Sequence, residues 1–325
     1  MSSDSRLLGS ARKLVKNRKA PRPDSHVIPH PPKNQAARTE TMWAWAFMLP
    51  TMIGLLFFIV GPMLVALYIS FTEWSLLGSP EWLGLSNFSN LFRDPLFWTA
   101  WRNTIVYTGV SVPLSMALGL GIAVLLNRKL PGMGLFRVLF FVPMTVGVVA
   151  SGLLWSWMFT PQYGLLNYLF HFVGLGPYPW LTAESTAMPS IISVGVWRAL
   201  GFNIIIFLAG LQAVPQPLYD AATVDGAGAV RKFRHITVPM LSPTIFFSTL
   251  IGFIMSFQVF EQTYVMTQGG PGNSTLTIIY FIFQQGFSYL RMGYASAASV
   301  TFLVILSIAT MLMLRLQSRL VHYEN

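Results

Sequence analysis

Residues 219–228 read Tyr-Asp-Ala-Ala-Thr-Val-Asp-Gly-Ala-Gly, and residues 236–239, after a basic stretch, read Ile-Thr-Val-Pro. Pro215 and Pro217 favour a helix start just ahead of this polar segment. The two alanines are strong helix formers without bulk, and Gly226 supplies a stop. The pattern predicts a short helix, a sharp turn and a second short helix. A small, flat helix of this kind is suited to a groove on another protein.

The segment stands among long apolar runs. The chain is 54% hydrophobic and 10% charged, whereas soluble domains carry about 25% charged residues. A helix needs roughly 20 apolar residues to cross the hydrocarbon core of a bilayer. Since hydrocarbon forces each span to be helical, the sequence predicts an all-α polytopic membrane protein with six transmembrane helices. The predicted spans are residues 44–71, 104–126, 135–159, 188–211, 243–266 and 295–314.

The basic residues predict the orientation, because cytoplasmic loops carry an excess of Lys and Arg. Nine of the 21 Lys and Arg residues precede Thr41, and most of the others lie in segments on the same side as that tail. Residues 1–42 are basic and proline-rich, so we expect a disordered cytoplasmic tail. Both termini and the 219–239 segment are then cytoplasmic. The basic residues assigned to the outer side are Arg93, Arg102 and Arg291.

The 219–239 segment resembles the cytoplasmic loop of ATP-binding-cassette (ABC) importer permeases. That family shows an acidic residue, two alanines, a glycine four positions later, and then isoleucine, a leucine-like residue and proline. Asp220 stands where Glu is usual, and Val238 where Leu is usual. The resemblance implies that the loop couples the chain to an ATPase, through Asp220, Ala221, Ala222, Asp225, Gly226, Ile236 and Pro239.

Two outer segments resemble the carbohydrate and glycerol-phosphate branch of the same family. They are the turn cluster Gly-Gly-Pro-Gly-Asn-Ser-Thr at 269–275 and the stretch Gly-Tyr-Ala-Ser-Ala at 293–297. The implied fold is a type I ABC importer transmembrane domain. Its expected parts are a first helix with an outer amphipathic segment (43–100), a core of five helices (101–318) that contains the coupling loop (213–242), and a short cytoplasmic C-terminus (319–325).

The resemblance implies a permease subunit that forms half of the translocation pathway for a sugar or sugar-like solute in the plasma (inner) membrane. The implied partners are a second permease, in a heterodimer, an ATPase dimer and an extracytoplasmic solute-binding protein. ATP and Mg would bind to the ATPase subunits, and we expect no catalytic residue, cofactor, metal or nucleic-acid site on this chain. In agreement, the sequence contains no Gly-Lys pair, so it has no G-x-x-x-x-G-K-[ST] phosphate-binding loop.

Apart from Arg137, which stands at the cytoplasmic start of the third predicted span, two charged side chains fall inside predicted spans. Arg198 lies in the fourth and Glu261 near the outer end of the fifth. A charge that faces lipid costs about 2.5–3.5 kcal/mol on insertion scales, so both are expected to face the bundle interior. They could form an ion pair, line the pathway or only fix the helix packing. Sugar recognition needs polar groups for hydroxyls and aromatic faces for C–H surfaces, so the pathway candidates are Gln258, Glu261, Ser256, Trp155, Asn203 and Arg198.

Two alternative functions make different demands on the sequence. An ion-coupled secondary transporter needs intramembrane ionisable residues for its coupling ion, and two are few for that role. A membrane-embedded transferase needs a cluster of acids, bases or metal ligands near an interface, and the sequence shows none. Neither alternative explains the 219–239 segment.

Overall fold

The computed structural model describes residues 33–128 and 132–320, with side chains described for 38–128 and 132–317. Most of the predicted disordered tail and the last five residues therefore lie outside the described residues. The tail prediction is wrong for residues 33–42, which are helical. The helices are α1 (Lys33–Leu55), α2 (Gly61–Ile69), α3 (Ser86–Arg93), α4 (Pro95–Leu126), α5 (Met133–Thr145), α6 (Val148–Met158), α7 (Leu165–Phe172), α8 (Glu184–Ala213), α9 (Gln216–Val224), α10 (Ala229–Lys232), α11 (Val238–Met240), α12 (Ser242–Phe257), α13 (Glu261–Met266), α14 (Ile278–Phe283) and α15 (Met292–Leu320).

Three π-helical turns, at Leu56–Val60, Phe233–Thr237 and Gln284–Ser288, connect some of these helices. The chain divides into two compact units, residues 1–61 and 62–325. In the first unit, the described part is α1 with the π turn that follows it, and the side chains of its apolar run are largely exposed. An exposed surface of this kind is what a helix that contacts lipid requires.

Candidate membrane spans agree with the predicted number. Four helices are long and apolar enough to cross a membrane singly, and two bent helix pairs raise the number to six if each pair is one span. The four are Arg38–Ile69, Pro95–Leu126, Glu184–Ala213 and Met292–Gln317, and the bent pairs are Met133–Thr145 with Val148–Met158 and Ala229–Met240 with Ser242–Phe257. The prediction of an all-α, six-span protein is confirmed, and two of the predicted spans are broken helices.

The third predicted span, 135–159, is bent by 100° between α5 and α6. Gly147 has an extended backbone there (φ −56°, ψ 143°), and Pro143 lies one turn earlier inside α5. Proline removes a backbone donor and clashes with the preceding turn. The bend therefore coincides with Pro143 and Gly147, residues that mark close packing or kinks in membrane helices.

The fifth predicted span, 243–266, ends early. Helix α12 stops at Phe257, and Glu261 begins the separate helix α13. The intervening Val259 is buried, and its carbonyl accepts a hydrogen bond from the Thr277 hydroxyl at 3.1 Å. A partner from a distant segment thus satisfies a backbone group that the helix leaves free. The break separates Ser256 from Glu261, which the sequence had placed on one helix.

The second unit is built around the packing of α4 against α8. Gly119 of α4 lies so close to Asn203 of α8 that a methyl group on the glycine would stand 2.6 Å from the Asn203 Cβ. Asn203 is buried, and its amide oxygen accepts a hydrogen bond from the Ser248 hydroxyl of α12 at 2.7 Å. The absence of a side chain at Gly119 therefore permits the approach of three helices.

On the predicted outer side, a two-stranded hairpin, β1 (Thr72–Glu73) and β2 (Glu81–Trp82), pairs antiparallel with Thr72 opposite Trp82. Asn87 of α3 is buried and donates hydrogen bonds to the carbonyls of Ser70 at 3.0 Å and Thr72 at 2.8 Å. This one amide joins α3 to the start of the hairpin. Helix α3, in the region expected to be the outer amphipathic segment, is therefore held to the hairpin by buried polar contacts.

We expect Gly119→Ala to lower the thermal unfolding midpoint of the purified protein, since overpacking costs about 1–3 kcal/mol. Gly121→Ala is the matched control, because a methyl group there meets nothing within 4 Å. Tryptophan fluorescence during heating in detergent measures both variants. Equal midpoints for the two would contradict the close approach of α4 and α8.

Candidate functional site

The first candidate site is the 213–242 loop, whose leading helix is α9. This helix begins after Pro215 with Pro217 in its first turn, as the prolines predicted, and none of its side chains is buried. Val224 at its end is 89% exposed, and Val230 in the next helix is 82% exposed. Exposed apolar side chains on a short helix are typical of a surface that contacts another protein.

The turn after α9 depends on Gly226. Its φ of +75° lies in the left-handed region, which glycine adopts without a steric penalty. The Ala227 amide donates to the Ala222 carbonyl at 2.8 Å, and the Gly226 amide donates to the Thr223 carbonyl at 3.0 Å. These two bonds form a Schellman motif, which satisfies the last carbonyls of the helix. The predicted helix, turn and second helix are therefore all present.

Side chains join the two limbs of the loop. The Lys232 ammonium donates to the Thr223 hydroxyl at 2.7 Å, and a hydrogen bond of 3.0 Å links the Tyr219 and Thr237 hydroxyls. Thr237 is buried, and so is Leu241, which packs beneath it in a cluster with residues of α4 and α8. A displacement of α9 would therefore be transmitted to the spanning helices through these side-chain contacts.

The predicted coupling residues differ in exposure. Asp220, Ala221, Asp225 and Gly226 are exposed, whereas Ala222, Ile236 and Pro239 are half-buried. The Asp220 carboxylate accepts a hydrogen bond from the Gln216 amide at 3.1 Å and otherwise faces outward. The loop therefore offers an acidic residue, small residues and an exposed valine on one short helix.

The second candidate site surrounds the breaks in α5–α6 and α12–α13. Arg198 of α8 donates from its Nη1 to the Val146 carbonyl at 3.2 Å and to the Ser151 hydroxyl at 3.0 Å. Val146 is the C-cap of α5, so the guanidinium satisfies a carbonyl beside the break in the helix. The arginine holds the bend in an environment where a free carbonyl would be costly.

The ion pair between Arg198 and Glu261, one of the arrangements expected from the sequence, is not formed by these two described side chains. Glu261 is exposed at the start of α13. The hydrogen bonds to Val146 and Ser151 take up the guanidinium instead. The early end of α12 explains the difference, since it moves Glu261 off the helix on which the pair was projected.

The other pathway candidates fall into two groups. Gln258 and Glu261 are exposed beside the break. Ser256 is half-buried and donates to the Thr108 hydroxyl of α4 at 3.1 Å, and Asn203 is buried in its bond to Ser248. Ser256 and Asn203 therefore have partners within the bundle, whereas Gln258 and Glu261 have side chains that a solute could reach.

Trp155 of α6 belongs to an aromatic cluster. Its ring lies 5.4 Å from Phe159 and 5.4 Å from Trp197 between ring centroids. Its indole Nε1 and the hydroxyl of the neighbouring Ser156 are buried without a hydrogen-bond partner in the part of the chain that the structure describes. Buried polar atoms usually have partners, so these two leave unused hydrogen-bonding capacity close to the Arg198 bend.

Sequence reasoning missed the pair formed by Tyr107 and Gln262. The Tyr107 hydroxyl of α4 donates to the Gln262 Oε1 of α13 at 2.7 Å, and both residues are buried. Gly195 of α8 faces the same hydroxyl, which leaves no room for a side chain there. Spacing could not reveal a contact between residues so far apart in the chain. A polar glutamine beside Glu261 in an otherwise apolar run was the available signal.

A family profile matches residues 111–322, and it describes the inner membrane component of binding-protein-dependent transport systems. The match covers the bent spans and the whole 213–242 loop. Within the described residues, no group of three or more His, Cys, Asp or Glu is placed to hold a metal ion.

Among characterised sequences, the chain is similar to the sulfoquinovosyl glycerol transport system permease of Agrobacterium fabrum, with 34% identity over 85% of this chain and 91% of that protein. It is also similar to the arabinooligosaccharide transport system permease of Bacillus subtilis, with 33% identity over 90% and 95% of the two chains. A bacterial ABC transporter involved in alginate import has a similar fold, with a TM-score of 0.79, 23% identity, and coverage of 90% of this chain and 100% of that one.

The chain belongs to the family of inner membrane components of binding-protein-dependent transport systems. Its transmembrane fold is that of a type I ABC importer. It is a permease subunit of an ATP-driven importer, that is, a membrane-spanning transport component and not a catalytic one.

We expect Arg198→Met to destabilise the protein by about 1–3 kcal/mol, because the carbonyl of the half-buried Val146 would lose its donor at the helix break. Arg198→Lys should recover part of the loss, since an ammonium can still donate. The thermal unfolding midpoint in detergent measures the change. Arg102→Met is the matched control, because Arg102 is an exposed arginine on the adjacent helix α4. If Arg198→Met had the same unfolding midpoint as the control, the guanidinium would not stabilise the bend.

Proposed function

We propose that this permease forms half of the pathway for a sugar or sugar-like solute, in a heterodimer with a second permease in the plasma membrane. An extracytoplasmic binding protein delivers the solute to the outer loops, and an ATPase dimer that holds ATP and Mg binds to the 213–242 loop. The observation that carries the proposal is the exposed helix α9, which carries the residues that resemble the cytoplasmic coupling loop of the family.

The sugar class is supported by relatives and by chemistry. The two relatives named above transport a glycosyl glycerol and pentose oligosaccharides according to their names. Their solutes share ring hydroxyls and an apolar C–H surface. Gln258 and Glu261 offer exposed polar groups, and Phe260 and Tyr264 stack next to them with ring centroids 5.4 Å apart. Polar groups for hydroxyls and aromatic faces for C–H surfaces are what such solutes require.

The exposure of Glu261 supports a position on the pathway. A carboxylate that faced lipid would be costly, although less so near the outer end of a span, where Glu261 lies, than at mid-membrane. A side chain that is exposed in the single chain must then face either the partner permease or the water-filled route between the two. The exposed side chain of Gln258, at the same break, must likewise face either the partner permease or the water-filled route. The two polar residues side by side favour the solute route.

Helix α12 gives the coupling a physical route. It begins at Ser242, where the 213–242 loop ends, and its 16 residues lead to Gln258. At 1.5 Å per residue the helix is roughly 24 Å long. When the ATPase subunits close on ATP and displace α9, the loop moves as one body and pushes this helix. The displacement reaches the break at which Gln258 and Glu261 lie, and the solute route opens on the other side.

The orientation that we propose has both termini and the 213–242 loop in the cytoplasm, as the distribution of Lys and Arg predicts. An ion-coupled secondary transporter is disfavoured. Family membership places the chain among ATP-driven importers, and Arg198 is engaged by two hydrogen bonds at the bend. That leaves Glu261 as the one charged candidate for binding a coupling ion among those that the sequence suggested.

We expect a tagged chain, purified in mild detergent, to retain an ATPase and a second six-span protein. Asp220→Lys should reverse the charge at the contact and abolish ATPase recovery. Gly226→Leu should do the same, because a branched side chain at a φ of +75° disrupts the turn. The controls are Gly228→Ala, at a φ of −70° with nothing within 4 Å, and Glu81→Lys on the predicted outer side.

ATPase recovery that is unchanged by Asp220→Lys and Gly226→Leu would contradict the role of the loop. Loss of the second six-span protein in the same variants would instead indicate that they damage the bundle, so both partners are quantified in each preparation.

We expect Glu261→Gln and Gln258→Ala to lower binding-protein-dependent sugar uptake at least tenfold in reconstituted vesicles, because each removes a group that meets the solute. The loss of one hydrogen bond to a charged group corresponds to about a factor of ten. Tyr68→Phe, a change of one exposed hydroxyl on α2, is the control. Unchanged uptake of sugars in both variants, at equal protein levels, would remove these residues from the solute route.

A further inference from the structure

A cavity of about 470 Å³ lies where three helices end. Helix α4 ends at Leu126, α5 begins at Met133 and α8 ends at Ala213. Gln212 of α8 lines the cavity and is followed directly by the 213–242 loop. The cavity is separate from the α9 surface and from the helix breaks described above.

The chemistry of the cavity is that of an anion site. Arg128 and Arg137 line it, together with the side-chain amides of Asn127 and Gln212, and no described residue that lines it is acidic. The first amides of α5 also border it, and the first amides of a helix have no partner within the helix. Two guanidinium groups with amide donors and no carboxylate form a surface that a phosphate group satisfies.

Arg137 retains unused donor capacity. Its Nη2 donates to the Leu126 carbonyl at 3.1 Å, which orients the side chain across the end of α4. Its Nε is buried and has no hydrogen-bond partner within the described ranges. Native proteins rarely bury a donor of this kind without an acceptor. A small movement of the Arg137 side chain would bring this donor to an acceptor bound in the cavity.

The depth of the cavity indicates which phosphate would occupy it. Three candidate spans begin or end here, so the cavity lies at the level where helices leave the hydrocarbon and lipid headgroups begin. Apolar side chains next to it are exposed: Leu125 on α4, and Leu135, at 66%, and Phe136 on α5. A lipid whose headgroup entered the cavity could lay its acyl chains along these residues. Free phosphate, or a carboxylate of an ATPase, has no group to use them.

We propose that the cavity binds the phosphate of an anionic phospholipid, with Arg128 and Arg137 as the principal donors. Basic pockets between spanning helices hold such headgroups. The bound lipid joins the ends of α4, α5 and α8 at the base of the 213–242 loop, and it therefore limits the movement of that loop relative to the bundle. The activity of the transporter then depends on the anionic lipid content of its membrane. The proposal goes beyond the transport function and holds whichever solute is carried.

The test measures lipid retention by the whole transporter, permease with its partners, purified from mixed micelles of phosphatidylglycerol and phosphatidylcholine. Native mass spectrometry counts the lipids that remain bound. We expect the wild type to retain phosphatidylglycerol selectively. Arg128→Gln should lower its apparent affinity about tenfold, the effect of one lost charge-assisted hydrogen bond. Arg128→Gln with Arg137→Gln should abolish the selectivity.

Arg102→Gln is the matched control, since Arg102 is an exposed arginine of α4 that does not line this cavity. Arg137 also donates a hydrogen bond to the Leu126 carbonyl, so its loss in the double variant can destabilise the fold. Arg128 is exposed, and the single variant Arg128→Gln therefore tests the proposal even if the double variant is unstable. Competing arms contain inorganic phosphate or glycerol phosphate at millimolar concentration. The wild type should keep its lipid in both arms, because neither competitor has acyl chains.

Three results would overturn the proposal. Equal retention of the two lipids by the wild type would show that the cavity does not select anionic headgroups. Displacement of the lipid by inorganic phosphate would assign the cavity to a free anion. If the arginine variants lost the ATPase subunits but kept their lipid selectivity, the cavity would be assigned to a contact with protein. Because lipid retention is measured without transport, failure of the sugar assignment would leave the result unaffected.

Discussion

The bundle depends on one constraint: inside a membrane, every backbone polar group needs a partner within the protein. The constraint is most visible where helices break. The Arg198 guanidinium satisfies the carbonyl of Val146 at the 100° bend, and the Thr277 hydroxyl satisfies that of Val259 beyond the end of α12. These contacts permit the spans to be discontinuous. Gln258 and Glu261 are exposed beside the second break, and we propose on that ground that they line the solute route.

The two candidate sites are connected by one helix, α12. Helix α12 starts where the 213–242 loop ends and stops where Gln258 begins the break. The loop itself is stiffened by the Schellman motif at Gly226 and by the Lys232–Thr223 hydrogen bond. A movement at the surface therefore has a short mechanical route to the proposed solute path. With the proposed lipid bound, the cavity lined by Arg128 and Arg137 at the base of the loop would restrain that movement.

Several features were accessible from local patterns. The prolines before α9 and the glycine after it mark the helix and its turn, because their backbone preferences are intrinsic to the residue. The number of spans followed from apolar length, since the hydrocarbon thickness is constant. Local patterns did not show which pathway candidates have hydrogen-bond partners within the bundle. Ser256 and Asn203 have the same polar character as Gln258, yet the fold engages the first two in hydrogen bonds.

The amino-acid sequence alone determined the membrane class, the approximate spans and the 213–242 loop, since composition, hydrophobic length and turn residues act over short distances. Tertiary structure decided which spans bend, which polar groups find partners and where Glu261 lies. Those outcomes depend on contacts between distant segments, such as Arg198 with Val146 or Tyr107 with Gln262. A hydrogen bond across such a separation leaves no periodicity in the chain, because its energy depends on how the helices pack and not on which residues are neighbours in sequence.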